Sequence, residues 1–276
     1  MFSAMIKLAA RLDAQTFLGL RTWQFSLLNA GRWFPWYFLL RIMVMHPTAA
    51  WRGLLRYRRL VRRSPGKEPV GTVPLAALID KVRQREEPLL IAPGFCLKPY
   101  DYEKNRSSCP AGHFNHRCIL LENAANTLLQ PSVWPAPCRK CGIAALVKIA
   151  AIHSADFYIM TSAIDIAQDV YLPAIRRRGP RLGLFFLCPY SVDPFTFGLA
   201  ITGIKGALVQ FCRGDCQTHA EWTDADRGLK NDQTAVDEKQ WRSLVDDLVC
   251  TNDSKLQRVE VVREGNLYHI SLNPGL

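Results

Sequence analysis

The spacing of four cysteines constrains this chain of 276 residues more than any other feature. They read Cys109-x8-Cys118-x19-Cys138-x2-Cys141. A Cys-x-x-Cys pair lets one short turn present two sulfurs to a single tetrahedral centre, and thiolates are soft, strongly bonding ligands. Iron–sulfur clusters use the same sulfur-rich ligands, often with one ligand distant in sequence. The spacing therefore predicts that folding brings this four-cysteine group to one metal centre.

Two other roles for these thiols agree less well with the sequence. Disulfides need an oxidising compartment, and Lys7 and Arg11 fall where a secretory signal would be apolar. The cysteine count of nine is also odd. Free thiols are common in protein cores, and that interpretation suits Cys96 and Cys250, which have no partner at ligand spacing. We therefore expect a cytoplasmic protein whose clustered thiols bind metal.

Helical and strand patterns alternate along residues 68–276. The predicted helices cover 73–87, 118–130, 142–153, 164–178, 195–201 and 240–249. The predicted strands cover 89–92, 157–160, 182–187 and 207–211, and a hairpin joins 259–262 to 268–272. Helices between short apolar strands are typical of a mostly parallel sheet with helices on both faces. We therefore predict an α/β fold, with an amphipathic helical N-terminal arm before the sheet and a small β-hairpin at the end.

Cysteines also follow two of the predicted strands. Cys188 comes directly after residues 182–187, and Cys212 and Cys216 follow residues 207–211. Ligands of an open parallel sheet lie beyond the carboxyl ends of its strands. We therefore predict that these three cysteines meet there and bind a cofactor. Three protein ligands leave one metal position open, as substrate activation requires.

The identity of the metal is less constrained than its ligands. His113 and His116 lie between the first two cysteines of the four-cysteine group, so a zinc site with three cysteines and one histidine is an alternative. Four thiolates suit zinc and iron alike, but three further cysteines near the sheet edge exceed what one structural zinc needs. We therefore predict a [4Fe-4S] cluster, one or two per chain, and keep zinc as the alternative cofactor.

Residues 222–234 combine carboxylates with a lysine and a glycine. Asp224, Asp226 and Lys230 are the candidate catalytic residues there, as proton donors to a substrate held at the cluster. A solvated loop with side-chain turns is the alternative for this segment. The chain contains neither a Walker loop nor a Gly-x-Gly-x-x-Gly turn after a strand, so the common phosphate-binding loops are absent.

The whole excess of positive charge lies in residues 1–67. This quarter holds twelve Lys or Arg and a single acid, Asp13, whereas the rest of the chain holds 23 basic and 23 acidic residues. It is also rich in large apolar side chains, and its aromatic run at 32–45 is too short to span a bilayer and is interrupted by Arg41. Aromatic rings beside arginines suit the headgroup region of an anionic membrane surface.

Charge and composition together predict two domains. Residues 1–67 form a basic amphipathic helical arm, and 68–276 form the cysteine-rich α/β domain, with a turn-rich linker at 64–69. We expect the arm to lie on the inner leaflet, so that the protein is cytoplasmic and peripheral to the membrane. Packing of the arm on its own domain or on a second subunit is the alternative. Nucleic acid is not favoured, because the charges alternate with apolar residues.

Residues 95–235 resemble a known family through four short motifs. The motifs are Cys-Leu-Lys-Pro at 96–99, Cys-Pro-Ala at 109–111, Cys-x-x-Cys-Gly-Ile at 138–143 and Gly-Asp-Cys at 214–216. They resemble the cysteine-rich proteins catalogued as domain of unknown function 116, which are regarded as iron–sulfur or metal-binding proteins without an established reaction. The resemblance implies that the four-cysteine group supplies the ligands. The N-terminal arm and residues 222–234 have no counterpart in it.

These observations predict an iron–sulfur protein that performs redox chemistry on a membrane-associated or hydrophobic substrate. A redox partner protein is a further expectation. One alternative is a non-catalytic electron-transfer or assembly subunit of a membrane complex, in which the arm docks to protein. Another is a zinc-stabilised interaction module.

Overall fold

The structure is a computed structural model that describes most of the chain. The described residues are 29–63, 71–84, 87–101, 103–104, 106–123, 127–176, 178–230, 232–249 and 258–273. The first part of the predicted arm, the predicted linker at 64–69 and Cys250 lie outside them.

Nine strands lie within the described residues. They are β1 (Leu89–Pro93), β2 (Tyr100–Asp101), β3 (Arg106–Ser107), β4 (Asp156–Phe157), β5 (Leu182–Leu187), β6 (Lys205–Arg213), β7 (Ala235–Val236), β8 (Arg258–Glu264) and β9 (Leu267–Asn273). Seven of them form one sheet in the order β7-β6-β5-β1-β4-β9-β8. The four central strands, β6, β5, β1 and β4, run parallel, and antiparallel strands flank them on both sides. The predicted α/β class with a mostly parallel sheet is confirmed.

The helices alternate with these strands. They are α1 (Trp33–Tyr37), α2 (Pro47–Arg63), α3 (Leu75–Gln84), α4 (Ile119–Asn123), α5 (Ala136–Arg139), α6 (Gly142–His153), α7 (Ala163–Ile166), α8 (Leu172–Ile175), α9 (Val192–Thr202), α10 (His219–Ala225) and α11 (Glu238–Val249). Wider π-helical turns at Phe38–Val44 and Ala167–Tyr171 continue α1 and join α7 to α8. Short 3-10 turns lie at Phe95–Leu97, Pro131–Val133 and Pro189–Ser191.

The sheet is covered on both faces, so its two innermost parallel strands, β1 and β5, are apolar and buried along their whole length. β5 reads Leu-Gly-Leu-Phe-Phe-Leu and is buried throughout. Its Leu184 and Phe186 pack in the core beneath α3, α6 and α11, whereas Phe185 and Leu187 pack in the core beneath α2 and α9. Alternate side chains of one strand thus enter opposite layers, as the period of a β-strand requires.

Several element boundaries differ from the predicted ones. The predicted strand at 157–160 is shorter and begins one residue earlier, as Asp156–Phe157. The chain nevertheless stays beside β1, because the Tyr158 and Met160 N–H groups donate to the Ile91 and Pro93 carbonyls at 3.1 and 2.8 Å. Of the predicted helix at 118–130, the described residues contain the short helix α4 (Ile119–Asn123), and a 3-10 turn begins at Pro131. α6 and β5 have the predicted bounds.

The described part of the arm packs on the α/β core. Tyr57 of α2 is fully buried and donates a hydrogen bond to Asp193 at 2.6 Å. Gly53 allows the closest approach, because a Cβ there would lie 2.4 Å from the Cα of Ile201 in α9. α2 therefore packs on the α/β core, which is the alternative to an arm held only by the membrane surface. Among the described residues, no helix is long and apolar enough to cross a membrane.

Candidate functional site

The four-cysteine group lines one small cavity at the amino-terminal end of α6. Cys109 lies in the loop after β3, and Cys118 immediately precedes α4. Cys138 belongs to α5, and Cys141 is the N-cap of α6, so the Cys-x-x-Cys turn connects two helices. Cys118 and Cys138 are buried, and the other two are half-buried. Residues that are far apart in sequence thus surround one space.

A buried lysine, Lys98, lies against the same cavity. Its ammonium donates hydrogen bonds to the carbonyls of Gly112 and Asn115, both at 2.9 Å, and to the Asn115 side-chain oxygen at 2.8 Å. Burial lowers the pKa of Lys98, and the nearby thiols of the four-cysteine group oppose that shift. A buried ammonium is expensive unless negative charge lies close to it. Thiolates in the cavity would supply that charge.

Two of the thiols sit at helix amino termini. The backbone N–H groups of Ile143 and Ala144 lower the pKa of the Cys141 thiol, and those of Leu120 and Leu121 lower the pKa of the Cys118 thiol, in both cases against the larger effect of burial. Such donors stabilise a thiolate, because the first N–H groups of a helix have no partner within the helix. The local fold therefore already offers hydrogen bonds to sulfur anions.

Burial nevertheless keeps these thiols protonated when no metal is bound. It raises the pKa of Cys118 to about 11 and that of Cys141 to about 12, and it also raises the pKa of Cys138. Metal ions bind thiolates and displace the protons, so affinity for metal increases with pH. Burial has this effect on any thiol, so a metal that binds here would have to displace these protons.

The donor chemistry fits a cysteine-ligated centre, but the side chains are not positioned for one. Within the described part of the chain, no group of three or more His, Cys, Asp or Glu residues is arranged so that it could hold a metal ion. The cavity offers about 20 Å³, roughly the space that one water molecule occupies. Binding of a metal or a cluster therefore requires the thiol side chains to turn and the cavity to widen.

The two predicted histidine alternatives occupy different surroundings. His116 has both ring nitrogens engaged, Nδ1 at 2.7 Å from the Ile159 carbonyl and Nε2 at 3.1 Å from the Thr161 hydroxyl. His113 packs edge-to-face on Phe95, and both its nitrogens are buried without a hydrogen-bond partner. Burial, and the neighbouring Lys98 and Lys230, lower the pKa of His113 to about 4. Because both of its ring nitrogens already have partners, His116 is not available as a metal ligand in this arrangement.

A second sulfur group lies at the carboxyl edge of the parallel strands, but its members differ from the prediction. Cys96 follows β1, Cys188 follows β5 and Cys216 follows β6, and all three are buried. Cys212, the third predicted cofactor ligand, is exposed because β6 continues through Arg213 and keeps it within the strand. The structure therefore places Cys96 beside Cys188 and Cys216 where the sequence predicted Cys212.

The three candidate catalytic residues are divided between this group and the surface. Lys230 donates to the Cys216 sulfur at 3.8 Å. Asp226 accepts a hydrogen bond from the backbone of Ala163 at 2.7 Å and pairs with Arg32. Burial raises the pKa of Asp226. Asp224 instead pairs with an arginine of its own turn and is half-exposed.

An apolar pocket of about 540 Å³ adjoins the second sulfur group. Cys96, Cys188 and Cys216 form part of its wall, together with Asp226. Aromatic and aliphatic side chains form most of the remainder, and they come from α1, from the π-helical turn that continues α1 and from α9: Phe34, Phe38, Leu39, Phe195 and Phe197. The space has the size and apolar lining of a small-molecule site, with few polar groups to orient a ligand.

The two sulfur groups are joined by one turn of backbone. Cys96 lies on the pocket wall, and Lys98, two residues later, lies at the four-cysteine cavity. The Cys141 thiol contacts the Leu97 carbonyl between them at 3.9 Å. The cavity and the pocket are therefore neighbours.

Exposed apolar side chains concentrate beside the pocket. Seven large ones fall within residues 33–51: Trp33, Trp36, Leu39, Leu40, Val44, Met45 and Trp51. Trp36 and Leu39 also line the pocket. Arg41, Arg52, Arg56, Arg59 and Arg62 are exposed on the same helices. We call residues 33–51 the apolar patch. Patches of this kind mark contact with a membrane or a partner.

Sequence reasoning missed three participants. Lys98 was not singled out because a lysine in a loop is usually solvated, and its burial depends on contacts formed only in the fold. Cys96 was assigned to the core, although it directly follows a predicted strand as Cys188 does. Arg32, which pairs with Asp226, was considered only as part of the basic arm.

Comparison with known proteins found no relative: no family model, no curated protein and no solved structure matches this chain. The resemblance to the domain of unknown function 116 family therefore stays a prediction.

Proposed function

We propose that this chain is an iron–sulfur protein that performs redox chemistry on a hydrophobic substrate taken from a membrane surface. The observation that carries the proposal is the meeting of four cysteines from three loops and a helix at one cavity, beside a buried lysine. The adjacent apolar pocket favours an enzyme over a simple electron carrier, since a carrier needs no substrate cavity.

Cys109, Cys118, Cys138 and Cys141 would hold the cluster. A cluster supplies single electrons at a potential set by nearby charge and hydrogen bonds. Lys98 would balance the charge of the thiolates, and the N–H groups at the starts of α4 and α6 would hydrogen-bond to sulfur. These donors already surround the cavity, so binding would require the thiol side chains to turn and the cavity to widen around the cluster.

The substrate would enter past the apolar patch. Trp36 and Leu39 belong both to the patch and to the pocket wall, so a molecule leaving the membrane would not have to cross water. The exposed arginines of α2 would contact anionic headgroups. This arrangement combines the predicted membrane role of the arm with its observed packing on the core.

Asp226 is the candidate proton donor in the pocket. Its carboxyl group lies on the wall, and burial raises its pKa, which favours the protonated form. Arg32 opposes that shift by pairing with the same group. A substrate that displaced Arg32 would therefore meet a carboxyl group that more readily keeps its proton.

Metal analysis after anaerobic purification tests the proposal. We expect iron and acid-labile sulfide in near-equal amounts, and an electron paramagnetic resonance signal after reduction. Each Cys→Ser change in the four-cysteine group should remove most of the iron, whereas Cys212→Ser should retain it. Stoichiometric zinc without sulfide would instead support a zinc-stabilised module. A chain with neither metal would overturn the proposal.

A further inference from the structure

Cys188 and Cys216 form a close pair that the metal proposal does not use. They follow adjacent parallel strands, β5 and β6, and are both buried. The backbone N–H of Cys216 donates to the Cys188 sulfur at 3.3 Å, and the two thiols are hydrogen-bonded to each other. Both line the apolar pocket. Two thiols in contact at the wall of a cavity are placed to react with the same ligand.

We propose that Cys216 and Cys188 are a redox-active dithiol that exchanges with the disulfide of a small, apolar, uncharged substrate in the pocket. Cys216 is the attacking thiolate and Cys188 the resolving thiol. This reaction needs neither the four-cysteine group nor a metal, so it stands apart from the iron–sulfur proposal.

The charges around the pair decide which thiol attacks. The Lys230 ammonium lies 3.8 Å from the Cys216 sulfur and is partly buried. The hydrogen bond from Cys188, together with Lys230, lowers the pKa of Cys216 to about 7, although burial and Glu221 oppose this. The pKa of Cys188 is raised, first because its thiol is the donor to Cys216 and then by burial. Cys96 stays protonated, since burial raises its pKa to about 12.

The same neighbours keep Lys230 charged. Burial alone would lower the pKa of Lys230, but the facing thiols Cys96, Cys216 and Cys188 outweigh burial and raise it. An ammonium beside a thiolate is the arrangement that activates cysteine in thiol chemistry. Lys230 is therefore a positioning residue that acts through Cys216.

The exchange balances in two steps. The Cys216 thiolate attacks one sulfur of the substrate disulfide, forming a mixed disulfide and releasing the other sulfur as a thiolate that takes up a proton. Cys188 then loses its proton and attacks the Cys216 sulfur, which forms the protein disulfide and releases the second substrate sulfur. Two protein thiols are oxidised and one substrate disulfide is reduced to a dithiol.

The lining of the pocket selects the substrate class. Most of its wall is aromatic or aliphatic, and its carboxylate, Asp226, is already paired with Arg32. A charged disulfide would lose hydration on entry without gaining a partner. An uncharged disulfide on an apolar chain meets no such cost, so lipoamide is the suitable probe and lipoate, which has the same ring disulfide and a carboxylate, is the charged comparison.

The test uses the full-length chain, reduced and freed of reductant, with excess lipoamide. We expect one dihydrolipoamide per chain and a Cys188–Cys216 disulfide by peptide mass spectrometry, formed at least tenfold faster than with lipoate, which carries the same ring disulfide and a carboxylate. C188S, quenched with iodoacetamide to block the freed substrate thiol before the ring can close again, should show the mixed disulfide at Cys216, and C216S should release no dihydrolipoamide. C212S, which removes the exposed thiol outside the pocket, should react as the wild type does.

A pH profile separates activation from mere proximity. Alkylation of Cys216 by iodoacetamide should increase as pH rises through about 7. K230Q should move this midpoint upward, whereas K104Q, at an exposed lysine, should leave it unchanged. These readouts report on folded protein even if one variant is unstable.

Three results would overturn the inference. The disulfide could map to other cysteines, C188S could fail to trap a mixed disulfide, or C216S could lose the iron that the wild type holds. The last result would assign Cys216 to a cluster. Absence of iron from the wild type, by contrast, would refute the iron–sulfur proposal and leave the dithiol result intact.

Discussion

Replacing Trp33 by serine tests the membrane contact directly. Trp33 is 69% exposed in the structure. Since a tryptophan has up to ~250 Å² to bury, about 170 Å² is free, worth ~4 kcal/mol at ~25 cal/mol per Å² if it were fully buried. A ring at the headgroup boundary is about half buried, so we expect a loss of ~2 kcal/mol, which is about 30-fold in the partition coefficient.

Sedimentation with anionic phospholipid vesicles measures this coefficient. Binding should also weaken with added salt, because exposed arginines such as Arg52 and Arg56 contribute through charge. A matched pair of valines controls for exposure: Val44 in the apolar patch is 59% exposed, and Val133 elsewhere is 56% exposed. Val44→Asp should reduce binding, and Val133→Asp should not.

Equal effects of the two valine substitutions would refute the reasoning, because the apolar patch would then be no more important than any other exposed site. Unchanged vesicle binding by the Trp33 variant would refute it as well. Circular dichroism of each variant confirms that the fold is retained, as an exposed side chain should allow.

Three further changes test the structure around the site. Lys98→Met should weaken iron retention about 10–100-fold, as loss of a supporting group around metal ligands usually does. Lys140→Met, at an exposed lysine between Cys138 and Cys141, should not, and equal iron content in both variants would contradict the role of the buried ammonium. Gly53→Ala should destabilise the protein by about 1–3 kcal/mol in urea unfolding, because α9 leaves no room for a methyl group, and Gly31→Ala, in open space, should be nearly neutral. The pKa of Glu122 is lowered, first by the hydrogen bond that Arg117 donates to its carboxylate. The ionised form therefore stabilises the fold at pH values above the ordinary carboxyl pKa, and this stability is lost as pH falls through the lowered pKa. Glu122→Gln should flatten this part of the plot of unfolding free energy against pH, and an unchanged plot would contradict the argument.

The sequence predicts the sheet layers well where burial alone determines the element. β5 is apolar at every position and was predicted with its observed bounds, and so was α6. Short elements were less predictable, because their ends depend on pairing partners. β4 is the example: the predicted strand of four residues is only two residues long in the structure, although Tyr158 and Met160 still donate hydrogen bonds to β1.

The four-cysteine group also follows from the sequence, because the Cys-x-x-Cys turn and helix starts are local features. The second sulfur group does not. Cys212 is not part of this group because β6 continues two residues beyond the predicted strand and so includes Cys212. Cys96, in the loop after β1, lies beside Cys188 and Cys216 instead. The burial of Lys98 is likewise a property of the assembled loops, formed by carbonyls fourteen and seventeen residues away in sequence.

Iron and sulfide content of the anaerobically purified full-length chain is the most direct test of the central claim. The account predicts iron with matching sulfide in the wild type, and loss of both when Cys138 and Cys141 are replaced by serine. Iron that survives this double substitution, or a wild-type chain that holds no iron, would contradict it.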